Sequence, residues 1–152
     1  MNITIRTDAS TRIGLGHLVC CRTLATALRD QGATVRFICR AHPGHQLTAL
    51  RADGWGLAAL PAPPIQEDVA DGDYADWEWH LRPHIGLILV IDDLANRRHD
   101  GDLLLDQNYA PAGTTRYQGL LPPGARTLLG PAYALLRPEY AQHRQTLRPR
   151  NG

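Results

Sequence analysis

Residues 2–60 switch repeatedly between a strand-like and a helix-like apolar period, and this alternation restricts the fold more than any other property of the chain. Asn2-Ile3-Thr4-Ile5-Arg6 alternates as a strand does. Leu18, Cys21, Leu24, Ala25 and Leu28 recur at helical spacing, with Gly32 where a helix stop belongs. The pattern predicts a helix from Gly16 to Gln31, a strand from Val35 to Cys39, a helix from Pro43 to Asp53 stopped by Gly54, and a strand from Gly56 to Leu60. Strands joined through helices by short links run parallel. The expected class is therefore α/β with a Rossmann-like parallel sheet, in one domain over residues 1–148.

The second half is less regular. Pro61-Ala62-Pro63-Pro64 and the acidic stretch from Glu67 to Asp76 read as linker or loop, and a helical patch over Trp77 to Leu81 is stopped by Pro83. Gly86 to Ile91 is a continuous apolar run, the pattern of a strand covered on both faces, and it ends in Asp92-Asp93. Asp102 to Asp106 and Ala125 to Leu129 read as further strands and Arg137 to Leu147 as a terminal helix. Ligands of open α/β sheets bind outside the carboxyl ends of the strands, which makes Asp92 and Asp93 site candidates.

Composition narrows the partners. A formal net charge of +1 supplies no electrostatic reason for nucleic acid or an acidic membrane, and the apolar run ending at Ile91 is far too short to span a bilayer. Three cysteines, two of them adjacent, do not make a secreted disulfide framework, so a cytoplasmic location is expected.

Gly14-Leu15-Gly16-His17 opens directly into the first predicted helix. A glycine turn lets backbone N–H groups approach a ligand, and an imidazole in the first helical turn is biased toward its neutral, basic form. As a dinucleotide fingerprint the turn fails, because Val19 stands where a third glycine belongs and no acidic residue closes the second strand. It fails as a phosphate loop as well, since all sixteen basic residues are arginine. A sugar-side loop and a plain turn with an incidental histidine both remain. Cys39, His42 and His45 have ligand-like spacing, but Pro43-Gly44 interrupts them, which favours a solvated turn over a zinc site. No metal or cofactor is expected. Tyr109, Tyr117, Tyr133 and Tyr140 are scattered and read as packing residues.

Several ordered segments resemble the N-terminal half of the UDP-2,4-diacetamido-2,4,6-trideoxy-beta-L-altropyranose hydrolases, nucleotide-sugar hydrolases of pseudaminic acid biosynthesis. They are Ile5-Arg6-Thr7-Asp8-Ala9-Ser10, Ile13-Gly14-Leu15-Gly16-His17, Val90-Ile91-Asp92-Asp93-Leu94-Ala95, His99-Asp100, Asp102 to Asn108, Leu129-Gly130-Pro131 and Tyr133 to Glu139. The resemblance implies a glycosyltransferase-B-like architecture of two Rossmann-type domains, of which this chain supplies the sugar side. It also implies metal-independent hydrolysis at the anomeric carbon that releases UDP and the free sugar, with His17 as general base. Asp8, Gly14, Gly16, Asp92, Asp93 and Asn108 would line the sugar side, and Arg137 would contact an anion.

The chain departs from the family in three places. Val19-Cys20-Cys21 replaces a segment that carries a basic residue. Near residues 61–76 a βα unit is missing, which leaves Tyr74 as the match for the family's active-site tyrosine. The nucleotide-binding C-terminal domain is absent from the match, so the isolated chain is expected to hydrolyse little without a separate nucleotide-binding chain. Two other classes remain open: a non-catalytic remnant that binds a sugar or a protein, and the acceptor domain of a two-chain glycosyltransferase.

Overall fold

The computed structural model describes residues 1–61, 75–111 and 113–146. Tyr74, and most of the segment in which the deletion is expected, lie outside them. The protein is α/β, with two three-stranded sheets, and it divides into two compact units: Met1–Ile65 with Leu135–Gly152, and Gln66–Ala134.

In the first unit β1 (Asn2–Arg6), β2 (Thr34–Arg40) and β3 (Gly56–Leu60) lie in sequence order and pair in parallel, with Ile3 opposite Val35 and Phe37 opposite Leu57. Helix α1 (Gly16–Asp30) links the first two strands and turns Leu18, Cys21 and Ala25 into the core, as its period predicts. Helix α2 (Leu47–Ala52) links the next two and buries Leu47 and Leu50. Both helices end the same way. The N–H of Gly32 bonds to the Arg29 carbonyl and that of Ala33 to Leu28, while Gly54 and Trp55 bond to Arg51 and Leu50. These are Schellman closures, and they need glycine because Gly32 and Gly54 sit at φ +83° and +77°. Each delivers the chain straight into the next strand. Along β2, Val35, Phe37 and Cys39 are buried, and the Phe37 ring meets Trp55 edge to face at 5.4 Å.

The predicted helix from Pro43 is shorter than expected. Pro43 accepts a bond from the Thr11 N–H and Gly44 adopts φ +80°, so residues 41–46 form a loop fastened to the β1–α1 connection, and helix begins only at Leu47.

The second unit contains α3 (Ala75–Leu81), continued by a 3-10 turn over Arg82–His84, and a sheet of β4 (Leu89–Ile91), β5 (Leu103–Asp106) and β6 (Arg126–Leu129), again parallel and in sequence order. The run from Gly86 becomes a strand only at Leu89 and is covered on one side: Ile88 and Val90 are buried, whereas Leu87 and Leu89 are exposed. Ile88 and Val90 join Leu104 and Tyr117 in the core of this unit, with Leu120, Leu121 and Leu129 against them. No helix spans residues 92–102 between β4 and β5, and only a 3-10 turn, Gly113–Tyr117, interrupts the passage from β5 to β6. Helix α4 (Pro138–Thr146) closes the described chain.

Among the described residues no helix is long and apolar enough to cross a membrane. Because Phe37 is fully buried against Trp55, Phe37→Ala should destabilise the first unit by about 3–5 kcal/mol in urea unfolding followed by amide NMR signals.

Candidate functional site

In a parallel sheet the carboxyl ends of all strands lie on one side, and in the second unit each end carries polar groups. Asp92 follows β4, Asp106 closes β5, and Gly130 follows β6. The ends of β4 and β5 and the crossover that follows β5 are tied together by one hydroxyl. The Tyr117 O–H lies 3.0 Å from the Asp92 carbonyl, 3.1 Å from Asp92 Oδ2 and 3.2 Å from Asp106 Oδ2. Asp92 Oδ2 also accepts the Ala95 N–H at 2.9 Å, which holds Ala95 at φ +51° in a tight turn after β4. Asp106 takes the Asn108 N–H at 3.0 Å on Oδ1 and an Arg116 N–H at 2.8 Å on Oδ2. Arg116 reaches across to the Asp93 carbonyl at 2.8 Å, and the Asn108 side-chain amide donates to Asp93 Oδ2 at 3.0 Å.

Behind this layer lies a buried imidazole. His99 Nδ1 is 2.9 Å from Glu78 Oε1, and its Nε2 faces Asp92 Oδ2 at 3.7 Å, an ion-pair contact longer than a hydrogen bond. The second Glu78 oxygen accepts the Asp100 N–H at 2.8 Å. Burial opposes a charge on His99, but Asp92 and Glu78 outweigh it and raise its pKa to about 9. Burial likewise opposes ionisation of Asp92. The contacts from His99, the Ala95 N–H and Tyr117 overcome that effect and hold its pKa well below the usual carboxylate range. Tyr117 is pushed upward by burial and by the two carboxylates, so its hydroxyl stays neutral and acts as donor. His99 and Tyr117 therefore keep their protons near neutral pH and support the site rather than exchange protons with a ligand.

Beside this network is a half-open pocket of about 200 Å³ at the ends of β5 and β6, lined by Asp106, Asn108, Tyr109, Arg116, Leu129 and Gly130. Arg116 bonds to Asp106 and Asp93, and both Asp106 oxygens are taken, so the pocket offers the Asn108 side chain, an exposed Tyr109 ring and a mainly apolar lining. Such a surface suits a ring with an apolar face and few polar edges.

The other predicted residues lie in the first unit. The loop after β1 folds back on itself, with the Gly14 N–H bonded to the Ser10 carbonyl at 2.9 Å and the Arg12 and Ile13 N–H groups capped by Ser10 Oγ. Gly14 sits at φ +82° and Gly16 starts α1. His17 is exposed in the first turn of that helix, which has neither a side-chain cap nor an acidic residue of its own. Asp8 does not face solvent. Its Oδ1 accepts from Arg6 and from the Arg40 N–H, both at 2.6 Å, and its Oδ2 faces His42 Nε2 at 3.6 Å. Arg137 is exposed, with its guanidinium 5.5 Å over the Tyr140 ring.

No protein-family model matches the chain, and no curated protein matches it. The placement of its own residues is thus what bears on function. Of the predicted set, Asp92, Asp93 and Asn108 are brought together in the second unit, and Asp8, Gly14, Gly16 and His17 share one loop in the first. His42, read from the sequence as part of a solvated turn, is instead largely buried against Asp8. His45 is exposed, and among the described residues no group of three His, Cys, Asp or Glu side chains is placed to hold a metal ion. Glu78, His99, Arg116 and Tyr117 were not site candidates. The signal for them was thin: a lone acid between Trp77 and Trp79, and a histidine beside an aspartate.

The pKa of His99 fixes a pH dependence. A folded-state pKa raised from 6.5 to about 9 contributes stability that is complete below about 6.5 and is lost as pH rises through 9. The depressed Asp92 contributes stability that is present above 3.8 and lost as pH falls below it. Urea unfolding should therefore show the second unit weakening by on the order of 2–3 kcal/mol between pH 6.5 and 9.5. His99→Gln should be less stable at pH 6 and flat across that window.

Proposed function

We propose that this chain is the sugar-side domain, of glycosyltransferase-B-like architecture, of a nucleotide-sugar hydrolase acting on UDP-2,4-diacetamido-2,4,6-trideoxy sugars. The observation that carries this reading is His17. It is exposed on the first turn of a fifteen-residue helix, directly after a glycine turn and at the carboxyl end of a parallel sheet, where ligands of such sheets collect. The first turn of that helix has no side-chain cap, and its N–H groups carry partial positive charge.

In this reaction His17 takes a proton from water as the water oxygen bonds to the anomeric carbon, and the bond from that carbon to the diphosphate oxygen breaks, releasing UDP. The protein's other groups bind and orient. The resemblance assigns sugar contacts to Asp93 and Asn108, which lie by the pocket of the second unit, and an anion contact to Arg137. Asp92 sets the loop that carries Asp93. Leaving-group binding is assigned to a nucleotide-binding half, as in the family that the motifs resemble.

The test is product analysis. The sugar nucleotide is incubated with the chain, alone and with a nucleotide-binding partner chain, and released UDP and free sugar are counted. Free sugar is expected with the partner chain and little with the chain alone, and in the paired assay His17→Asn should lower its rate by about 10²–10⁴-fold with KM little changed. Transfer of the sugar to an acceptor in place of water would assign the chain to a glycosyltransferase, and an unchanged rate in His17→Asn would remove the proposed base.

A further inference from the structure

Asp8 stands in the loop that leads to His17, and the contacts of its carboxylate run away from solvent. It lies two residues beyond β1, and its carboxylate is buried. One oxygen is saturated by the Arg6 guanidinium and the Arg40 N–H, each at 2.6 Å. The other is buried, makes no hydrogen bond, and has the His42 ring nitrogen 3.6 Å away, itself buried and without a hydrogen bond. Arg40 ends β2 and His42 belongs to the following loop. Asp8 therefore clamps the β1–α1 connection to the β2–α2 connection.

A second contact joins the same two loops. The Thr11 N–H bonds to the Pro43 carbonyl at 3.1 Å, and Gly44 lies so close beneath Thr11 that a Cβ at position 44 would come within 2.6 Å of the Thr11 methyl carbon and 3.0 Å of its backbone nitrogen. At φ +80° any side chain at 44 would also be strained. The tight turn from Ser10 to Gly14 brackets Thr11 and leads into His17, so Asp8 and Thr11 fasten that turn directly to the β2–α2 loop.

We propose that Asp8, His42 and Gly44 form a brace in which the β2–α2 loop sets the position of the loop that presents His17. On this view Asp8 is a positioning residue rather than a sugar contact, and His42 and Gly44 act through Asp8 and Thr11. The functional consequence rests on the reading of His17 as base, but the brace itself does not.

Two measurements separate the two claims. Amide hydrogen exchange over Ser10 to Leu18 should be about tenfold faster in His42→Ala and in Gly44→Ala than in the wild type, with exchange in the middle of α1 unchanged. His42→Gln, which keeps an N–H facing Asp8, should restore slow exchange and so guards against a variant that merely unfolds. In the sugar-release assay, His42→Ala should lower kcat about tenfold at unchanged KM, and His42→Gln should recover it. Exchange that is unaltered in both alanine variants, or raised throughout the first unit, overturns the brace. Faster exchange confined to residues 10–18, in a protein that releases no sugar even with the nucleotide-binding partner chain, upholds the brace and removes the hydrolase reading instead.

Discussion

A protonated imidazole enclosed between two carboxylates governs the second unit. Taking such charges out of water is costly, and the cost is offset only when each partner is satisfied by further hydrogen bonds. Here the carboxylates are satisfied, the second Glu78 oxygen by the Asp100 N–H and Asp92 by the Ala95 N–H and the Tyr117 hydroxyl, while His99 Nε2 faces Asp92 at 3.7 Å as an ion pair without a hydrogen bond. The reason for so polar an interior lies in the connections. A parallel pair of strands is ordinarily crossed by a helix whose apolar stripe covers the sheet. The chain between β4 and β5 has no helix, and ionic and hydrogen-bonded contacts hold it where apolar packing would otherwise do so.

The two units solve the same problem with the same residue type. Asp8, Asp92 and Asp106 lie at or within two residues of a strand end, and each turns inward: Asp8 to Arg40 at the end of β2, Asp92 and Asp106 to the crossover that carries Arg116 and Tyr117. An aspartate at a strand end thus reads from sequence as a ligand group, yet its nearest unsatisfied donors are the backbone N–H groups and arginines of adjoining loops. The groups left facing outward are the neighbours of these anchors: Asp93 and Asn108 in one unit, His17 in the other.

Much of the first unit was legible because apolar period and helix stops are local signals. Gly32 and Gly54 end helices where expected, and β1, β2 and β3 fall within a residue of the pattern. Pro43 misled because a residue that can start a helix can also anchor a turn, and only the Thr11 contact decides between them. The run from Gly86 misled differently: a short apolar stretch carries no period, so exposure of Leu87 and Leu89 could not be read from it. The candidate site was half legible. Aspartates at strand ends announce themselves, but Glu78, His99 and Tyr117 are joined by pairings across 11 to 25 residues that leave no trace in local spacing.

The Tyr117 hydroxyl has one proton and three oxygens within reach. It can satisfy them only by sharing, and each share depends on the others staying in place. The turn after β4, the end of β5 and the crossover that carries Tyr117 are therefore not three mobile segments but one cooperative unit. Opening any of them strands a buried carboxylate beside the others, so thermal fluctuation should release them together, and a ligand that orders one of these segments orders all three.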